Sequence, residues 1–207
     1  MLTHIWPPGL RVLCVSGVPT EPSPTLEFHH LHPRDRFWEL LELGGITKGR
    51  LITREERKAM AEGHARGNIT DPVRQLFLEK KTNQLLRIGV GITYLNPRSG
   101  IETEKDRAAV PTPEEISAFL AKAGATPPGC FAFVMDGAMF RDIWRPRFPE
   151  ATETPGKQSF TIAGAQVWLM GSSQAALKGD ALLAQEDQFF ALGEYLMTLG
   201  GEGSASF

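Results

Sequence analysis

The feature that most constrains this chain is a set of short apolar runs, each stopped by residues that turn the backbone. Arg11–Val15 (RVLCV) stops at Ser16-Gly17, Ile92–Leu95 at Asn96-Pro97, and Phe131–Met135 (FAFVM) at Asp136-Gly137. Uninterrupted apolar runs of this length, bounded by turn residues, fit strands buried on both faces. Phe160–Ile162 and Gln166–Met170 read as two more strands, joined by Ala163-Gly164-Ala165. Helical signals lie between these runs. Asp35 can cap a helix through about Leu43, with Phe37, Trp38, Leu40 and Leu41 on its apolar side and Gly44-Gly45 ending it. Arg54 to Arg87 is polar and helical in propensity, with breaks near Gly67 and Pro72. Thr112-Pro113-Glu114-Glu115 places a capping hydroxyl, a proline at the first helical position and a glutamate three residues after the threonine, and predicts a helix to about Gly124. Asp180 can cap a last long helix carrying Leu182, Leu183, Phe189, Phe190, Leu196 and Met197.

Alternation of this kind predicts an α/β fold: a three-layer α/β/α sandwich around a central, mainly parallel sheet, built as a single domain. Residues 1–200 form that domain, 54–87 read as a helical insertion, and 201–207 as a disordered tail. In such sheets ligands bind beyond the carboxyl ends of the strands. Four places follow: the loop after Val15, the loop after Leu95, Asp136, and the loop after Met170. The first of these loops, Val18 to Pro24, holds three prolines and cannot be a regular element.

With 207 residues, 42% of them hydrophobic and 22% charged, the chain has the material for one sizeable core. No apolar run reaches the roughly 18–20 residues that a membrane helix needs. The opening MLTHIWPPGL has no basic region before a hydrophobic stretch. Cys14 and Cys130 sit inside apolar runs and read as buried free thiols of a reducing compartment, so the expected location is cytoplasmic. Neither they nor the cluster His29-His30-Leu31-His32 has metal-ligand spacing, and no cofactor or metal is expected. The net charge of −2 is unevenly spread: Arg34 to Arg98 holds thirteen basic against eight acidic residues, the rest nine against sixteen. A basic region on an acidic background can steer a polyanion to one face. The same charges also suit an ordinary solvated helical surface.

Several stretches then fall into a family pattern. Pro8-Gly9-Leu10-Arg11-Val12-Leu13, His32-Pro33-Arg34-Asp35-Arg36-Phe37-Trp38, Gly45-Ile46-Thr47 and Gly91-Ile92-Thr93-Tyr94-Leu95 occur in order, followed by Thr161-Ile162 and Gln166-Val167-Trp168-Leu169-Met170. In order and spacing they resemble the uracil-DNA glycosylase superfamily, closest to its mismatch-specific uracil/thymine branch. The likeness covers nearly the whole chain apart from extra residues between about Arg54 and Arg87. It implies a monomeric DNA repair enzyme. Such an enzyme flips a damaged base out of DNA and hydrolyses its N-glycosidic bond, leaving an abasic site.

The departures fall on the chemistry. Where the family's first motif reads G-[IV]-N-P-G, with an asparagine that positions the attacking water, this chain has Gly17-Val18-Pro19-Thr20-Glu21. Where the second reads N-P-S-G-L, it has Gly171-Ser172-Ser173-Gln174, then Ala176, Leu177 and Lys178. Asp136, at a strand end, becomes the leading candidate to orient the water, with Glu21 and Thr20 competing for the role. Gly17, Val18, Phe28, His30, Tyr94 and Asn96 are the expected base-binding set, His30 standing where the family stacks an aromatic ring on the base. Asn96 is a poor substitute for a motif asparagine, because it lies two positions past Tyr94. Ser172, Ser173, Leu177, Lys178 and Arg98 are the expected DNA contacts, Leu177 as an apolar wedge and Lys178 on phosphate. The transition state is dissociative, so orientation and fixed donors can suffice without a strong nucleophile. Loss of both asparagines supports the alternative, a non-catalytic DNA or modified-base binding module on the same fold. A serine hydrolase using Ser172 or Ser173 is disfavoured: no G-x-S-x-G elbow is present, and the sequence offers no assignable His–acid pair.

Overall fold

The computed structural model describes residues 9–17, 29–68, 71–94, 111–122, 126–135, 139–174 and 176–200. Five strands form one sheet: β1 (Val12–Ser16), β2 (Val90–Tyr94), β3 (Cys130–Met135), β4 (Gly156–Ile162) and β5 (Ala165–Gly171). Their spatial order is β2-β1-β3-β5-β4. β1 pairs parallel with both β2 and β3, β3 pairs parallel with β5, and only β4 runs antiparallel to its neighbour. The apolar runs therefore mark the strands, with bounds shifted or extended by one to four residues. β1 takes in Ser16, β2 starts at Val90, and β4 and β5 are longer than expected. The β4–β5 hairpin closes at Ala163 (φ 51°) and Gly164 (φ 82°), two successive left-handed residues whose twist suits a two-residue connection.

The helices are α1 (Phe37–Leu43), α2 (Arg54–Ala65), α3 (Asp71–Ile88), α4 (Pro113–Lys122), α5 (the single turn Arg145–Arg147, continuing a π-helical turn at Phe140–Trp144) and α6 (Asp180–Gly200). Strand alternation divides them into two layers. Val12, Cys14, Cys130, Ala132, Val134, Trp168 and Met170 pack with the buried side chains of α1 and α6. Leu13, Val15, Phe131, Phe133, Met135, Val167 and Leu169 pack on the other face, against Leu120, Phe140, Trp144 and Phe148. Each strand thus sends apolar side chains both ways, which is why its sequence reads as a continuous apolar run. Cys14 and Cys130 are free and buried, one on each of two paired strands.

Local chemistry sets the helix ends. The capping box expected at Thr112 is present: its amide donates to Glu115 (2.8 Å) and its hydroxyl accepts from the Glu115 amide (3.3 Å). A second box starts α2, between Thr53 and Glu56. The polar stretch from Arg54 is two helices, separated after Gly67 (φ 67°). On α6 the buried apolar side chains are Phe189, Leu192 and Leu196, whereas Leu183, Phe190 and Met197, expected on its apolar side, are exposed. α1 and α6 cross closely because Gly193 lies against Gly44: a Cβ on Gly193 would sit 1.6 Å from the Gly44 carbonyl oxygen. Among the described residues, no helix is long and apolar enough to cross a membrane.

Candidate functional site

The parallel strands β1, β2, β3 and β5 end on one edge, and a buried polar cluster forms there on the α1 side. Ser16 is the last residue of β1 and pairs in register with Tyr94, the last residue of β2. The segment leading into α1 crosses above them and brings in His29, His30 and Asp35. The loop leaving β5 brings in Ser173 and Gln174.

His30 is the hub. Its Nε2 lies 3.0 Å from Ser16 Oγ and its Nδ1 2.8 Å from Asp35 Oδ2. Its backbone N–H donates to the Tyr94 hydroxyl oxygen (3.3 Å), and its carbonyl accepts from Trp38 Nε1 (3.2 Å). One face of the ring stacks on Phe37, centroids 3.8 Å apart and planes 12° from parallel; Tyr94 lies 5.7 Å away. These contacts hold His30 at φ 53°, in the left-handed region that a non-glycine residue rarely occupies. The ring was expected to offer a stacking face to a flipped base. At 3% exposure, with Phe37 on it and both nitrogens engaged, it does not fit that role in this arrangement.

Asp35 serves two elements at once. Its Oδ1 accepts from the Phe37 amide (2.9 Å), so it does close the first turn of α1, though from one residue outside the N-cap position, which Arg36 occupies. Its Oδ2 faces His30 and lies 3.4 Å from Gln174 Nε2. Complete burial pushes this carboxyl up. The charge of His30 and hydrogen bonds from His30, Ser173 and the Phe37 amide outweigh that, holding it down at about 2. Asp35 is therefore a carboxylate at neutral pH. It accepts a hydrogen bond from His30 Nδ1–H, which leaves Nε2 to pair with the Ser16 hydroxyl. The expectation that no His–acid pair could be assigned is corrected: the pair is His30–Asp35, and the serine it addresses is Ser16, not Ser172 or Ser173.

The loop after β5 is pinned rather than free. The Arg36 amide donates to the Ser173 carbonyl (2.8 Å), Gln185 Nε2 to the Ser172 carbonyl (2.6 Å), and the Gly171 amide to Gln188 Oε1 (2.8 Å). Arg36 also pairs with Glu186 on α6 at 2.5 Å. Ser173 is 2% exposed and bonds to Asp35, so its side chain turns inward rather than toward a phosphate. Ser172 and Leu177 line a cavity of about 350 Å³ at the ends of β3 and β5, with Met135, Phe140, Arg141 and Met170. Leu177, expected as a protruding wedge, is half-buried there; Lys178 is exposed. Gly17 is buried under Met139, whose Sδ would lie 1.7 Å from a Cβ at that position.

Of the expected site residues, Gly17, His30, Tyr94 and Ser173 meet at one edge, with Ser172, Leu177 and Lys178 in the adjoining loop. Asp136, Glu21, Thr20, Val18, Phe28, Asn96 and Arg98 lie outside the described residues. Two members of the cluster were missed. Ser16 looked like the turn residue that stops a strand, and Asp35 looked only like a helix cap. The signal available for Asp35 was its place five residues after a histidine, inside a segment already singled out. Among the described residues, no group of three or more His, Cys, Asp or Glu is arranged to hold a metal ion. No known family model matches the chain.

Proposed function

We propose that the protein is a monofunctional DNA glycosylase that hydrolyses the N-glycosidic bond of uracil or a related deaminated or damaged base, leaving an abasic site. One observation carries the reading. Segments far apart in the chain that resemble the uracil-DNA glycosylase superfamily, or directly follow such segments, meet at the carboxyl edge of a parallel sheet, where α/β folds bind ligands, although the loops after β1 and β5 depart from its motifs. The strand ends of β1 and β2, the His32–Trp38 segment and the loop after β5 supply Ser16, Tyr94, Asp35 and Ser173 to one cluster. In this reading the enzyme works as a cytoplasmic monomer on DNA, without metal or cofactor. Fixed hydrogen-bond donors and an oriented water supply the catalysis.

A non-catalytic module that recognises a modified base is the second reading. It draws support from how fully Ser16, His30 and Asp35 bond to one another. The two are separated by incubating the protein with single- and double-stranded oligonucleotides carrying uracil, hypoxanthine, xanthine or ethenocytosine, then cleaving abasic sites with alkali. The glycosylase reading expects strand breaks at the lesion. Salt-dependent binding without breaks would move the protein to the binding module.

A further inference from the structure

We propose that Ser16 is an acyl-accepting nucleophile, with His30 as its general base and Asp35 as the residue that positions the imidazole. The inference does not rest on base excision. It rests on the order of three hydrogen-bonded groups and on where the chain of bonds ends.

The order is hydroxyl, imidazole, carboxylate, at 3.0 Å and 2.8 Å, with different nitrogens of one ring serving the two partners. That is the arrangement nucleophilic serine catalysis needs: a base within reach of the hydroxyl, and a buried acid that fixes the base's tautomer. Asp35 is 0% exposed and its other oxygen is held by the Phe37 amide, so the carboxylate cannot turn away from His30. Tyr94, Trp38 and Phe37 fix the histidine's backbone and ring, and the price is a strained φ of 53°. Strain maintained by five separate contacts is characteristic of a site that must hold a group in place.

The chain of bonds ends at a strand terminus of the central sheet. Ser16 closes β1, and the next residue is Gly17, whose amide follows the hydroxyl directly in the chain. A backbone N–H in that position is one of the donors used to hold an oxyanion. Ser16 is 5% exposed, so the proposal takes the least bulky acyl donors as its substrate class: short-chain carboxylic esters. In the first step Ser16 Oγ bonds to the acyl carbon and its proton passes to His30 Nε2. The C–O bond to the alcohol breaks, and the alcohol leaves with that proton. In the second step water attacks the acyl-serine, again giving its proton to His30. The carboxylic acid departs, and the proton returns to Ser16.

The test uses the full chain and methanesulfonyl fluoride, a probe no larger than a short acyl group. With it an Oγ–S bond forms, the S–F bond breaks, and fluoride leaves as the hydroxyl proton passes to His30. Intact-mass spectrometry with peptide mapping should show a single adduct, on Ser16. Ser16→Ala, which removes only the hydroxyl, should abolish it. His30→Gln, which keeps a donor toward Asp35 but has no basic nitrogen, should slow labelling by about 100-fold or more. Hydrolysis of p-nitrophenyl acetate should rank the proteins in the same order. Should His30→Gln not fold, as judged by circular dichroism, Asp35→Asn takes its place and should also slow labelling. No adduct on Ser16 in the folded wild type, or equal labelling rates in the wild type and a folded His30 or Asp35 variant, would overturn the proposal. Oligonucleotide cleavage by the same preparations is scored separately, so the two readings fail independently.

Discussion

Two buried polar networks lie on the α1 side of this protein, and they differ in what they join. The first links Ser16, His30 and Asp35 at the carboxyl edge of the sheet. The second ties α1, α2 and α3 together. Arg57, 1% exposed, donates to Glu39 at 2.6 Å and to the Ile52 carbonyl at 3.2 Å. Lys81, 4% exposed, pairs with Glu56 at 2.9 Å and donates to the Leu51 carbonyl. Glu56 in turn completes the capping box with Thr53. In this second network every bond fastens one helix to another or to the loop before α2, and it carries full charges. The first is shorter, has one strained residue, and ends on a hydroxyl at a strand terminus. Buried charge alone does not mark a site; the position of the last group in the chain does.

The second network also changes the meaning of the basic region. Arg36, Arg50, Arg57, Lys58, Arg66 and Lys81 all pair with carboxylates. Arg57 and Lys81 are buried in their pairs, whereas Arg50, Lys58 and Arg66 remain exposed, so only part of the local positive charge is enclosed in the protein. Lys48, Arg50 and Arg87 line a separate cavity of about 310 Å³.

The contrast between the networks can be broken at several points. The largest expected effect is in the second network. Glu39→Ala leaves the Arg57 guanidinium buried without its carboxylate and should cost about 3–5 kcal/mol in urea unfolding. Labelling of Ser16 in the fraction that remains folded should be unchanged. A similar loss of labelling would mean the two networks are one.

Next comes acid. The Asp35 carboxyl is depressed in the folded protein relative to its usual value near 3.9, so it contributes stability that is present above about pH 4. That stability is lost as the pH falls toward 2, and amounts to about 2–3 kcal/mol. Urea unfolding at pH 7, 4 and 2 should show the drop, and Asp35→Asn should flatten it. An equal drop in the variant would assign the acid sensitivity to other carboxylates. Smaller still, Thr53→Ala removes one capping bond of α2 and should cost about 1 kcal/mol without altering the site. The exposed pair Lys58–Glu62 should matter least: Lys58→Ala is expected to change stability by less than about 0.5 kcal/mol.

The same contrast explains what could be read from the chain. β1, β3 and the start of α4 were legible because their signals are local: an apolar run with a turn behind it, or a threonine followed three residues later by a glutamate. Strand ends were less so, because Ser16 and Gly171 gain their last ladder bonds from neighbouring strands rather than from their own composition. The fold class followed from alternation alone. The relay did not, because Ser16 and His30 are 14 residues apart, and their contact needs the backbone of His30 to take a left-handed turn. Asp35 was legible as a cap, and that was half its role. The inward turn of Ser173 was hidden for a similar reason: its partner, Asp35, is brought to it by the packing of the β5 loop on the start of α1.

We propose that the carboxyl edge of the sheet, where Tyr94, Asp35 and Ser173 come together, is where the protein acts on DNA. The most direct test is uracil excision from an oligonucleotide by the wild type, Ser173→Ala and Glu39→Ala, compared at equal concentrations of folded protein. Abasic product is expected from the wild type and from Glu39→Ala, with a loss of about tenfold or more in Ser173→Ala, as Asp35 and the β5 loop lose a shared bond. No abasic product from the wild type on any lesion, or equal excision by Ser173→Ala, would contradict it.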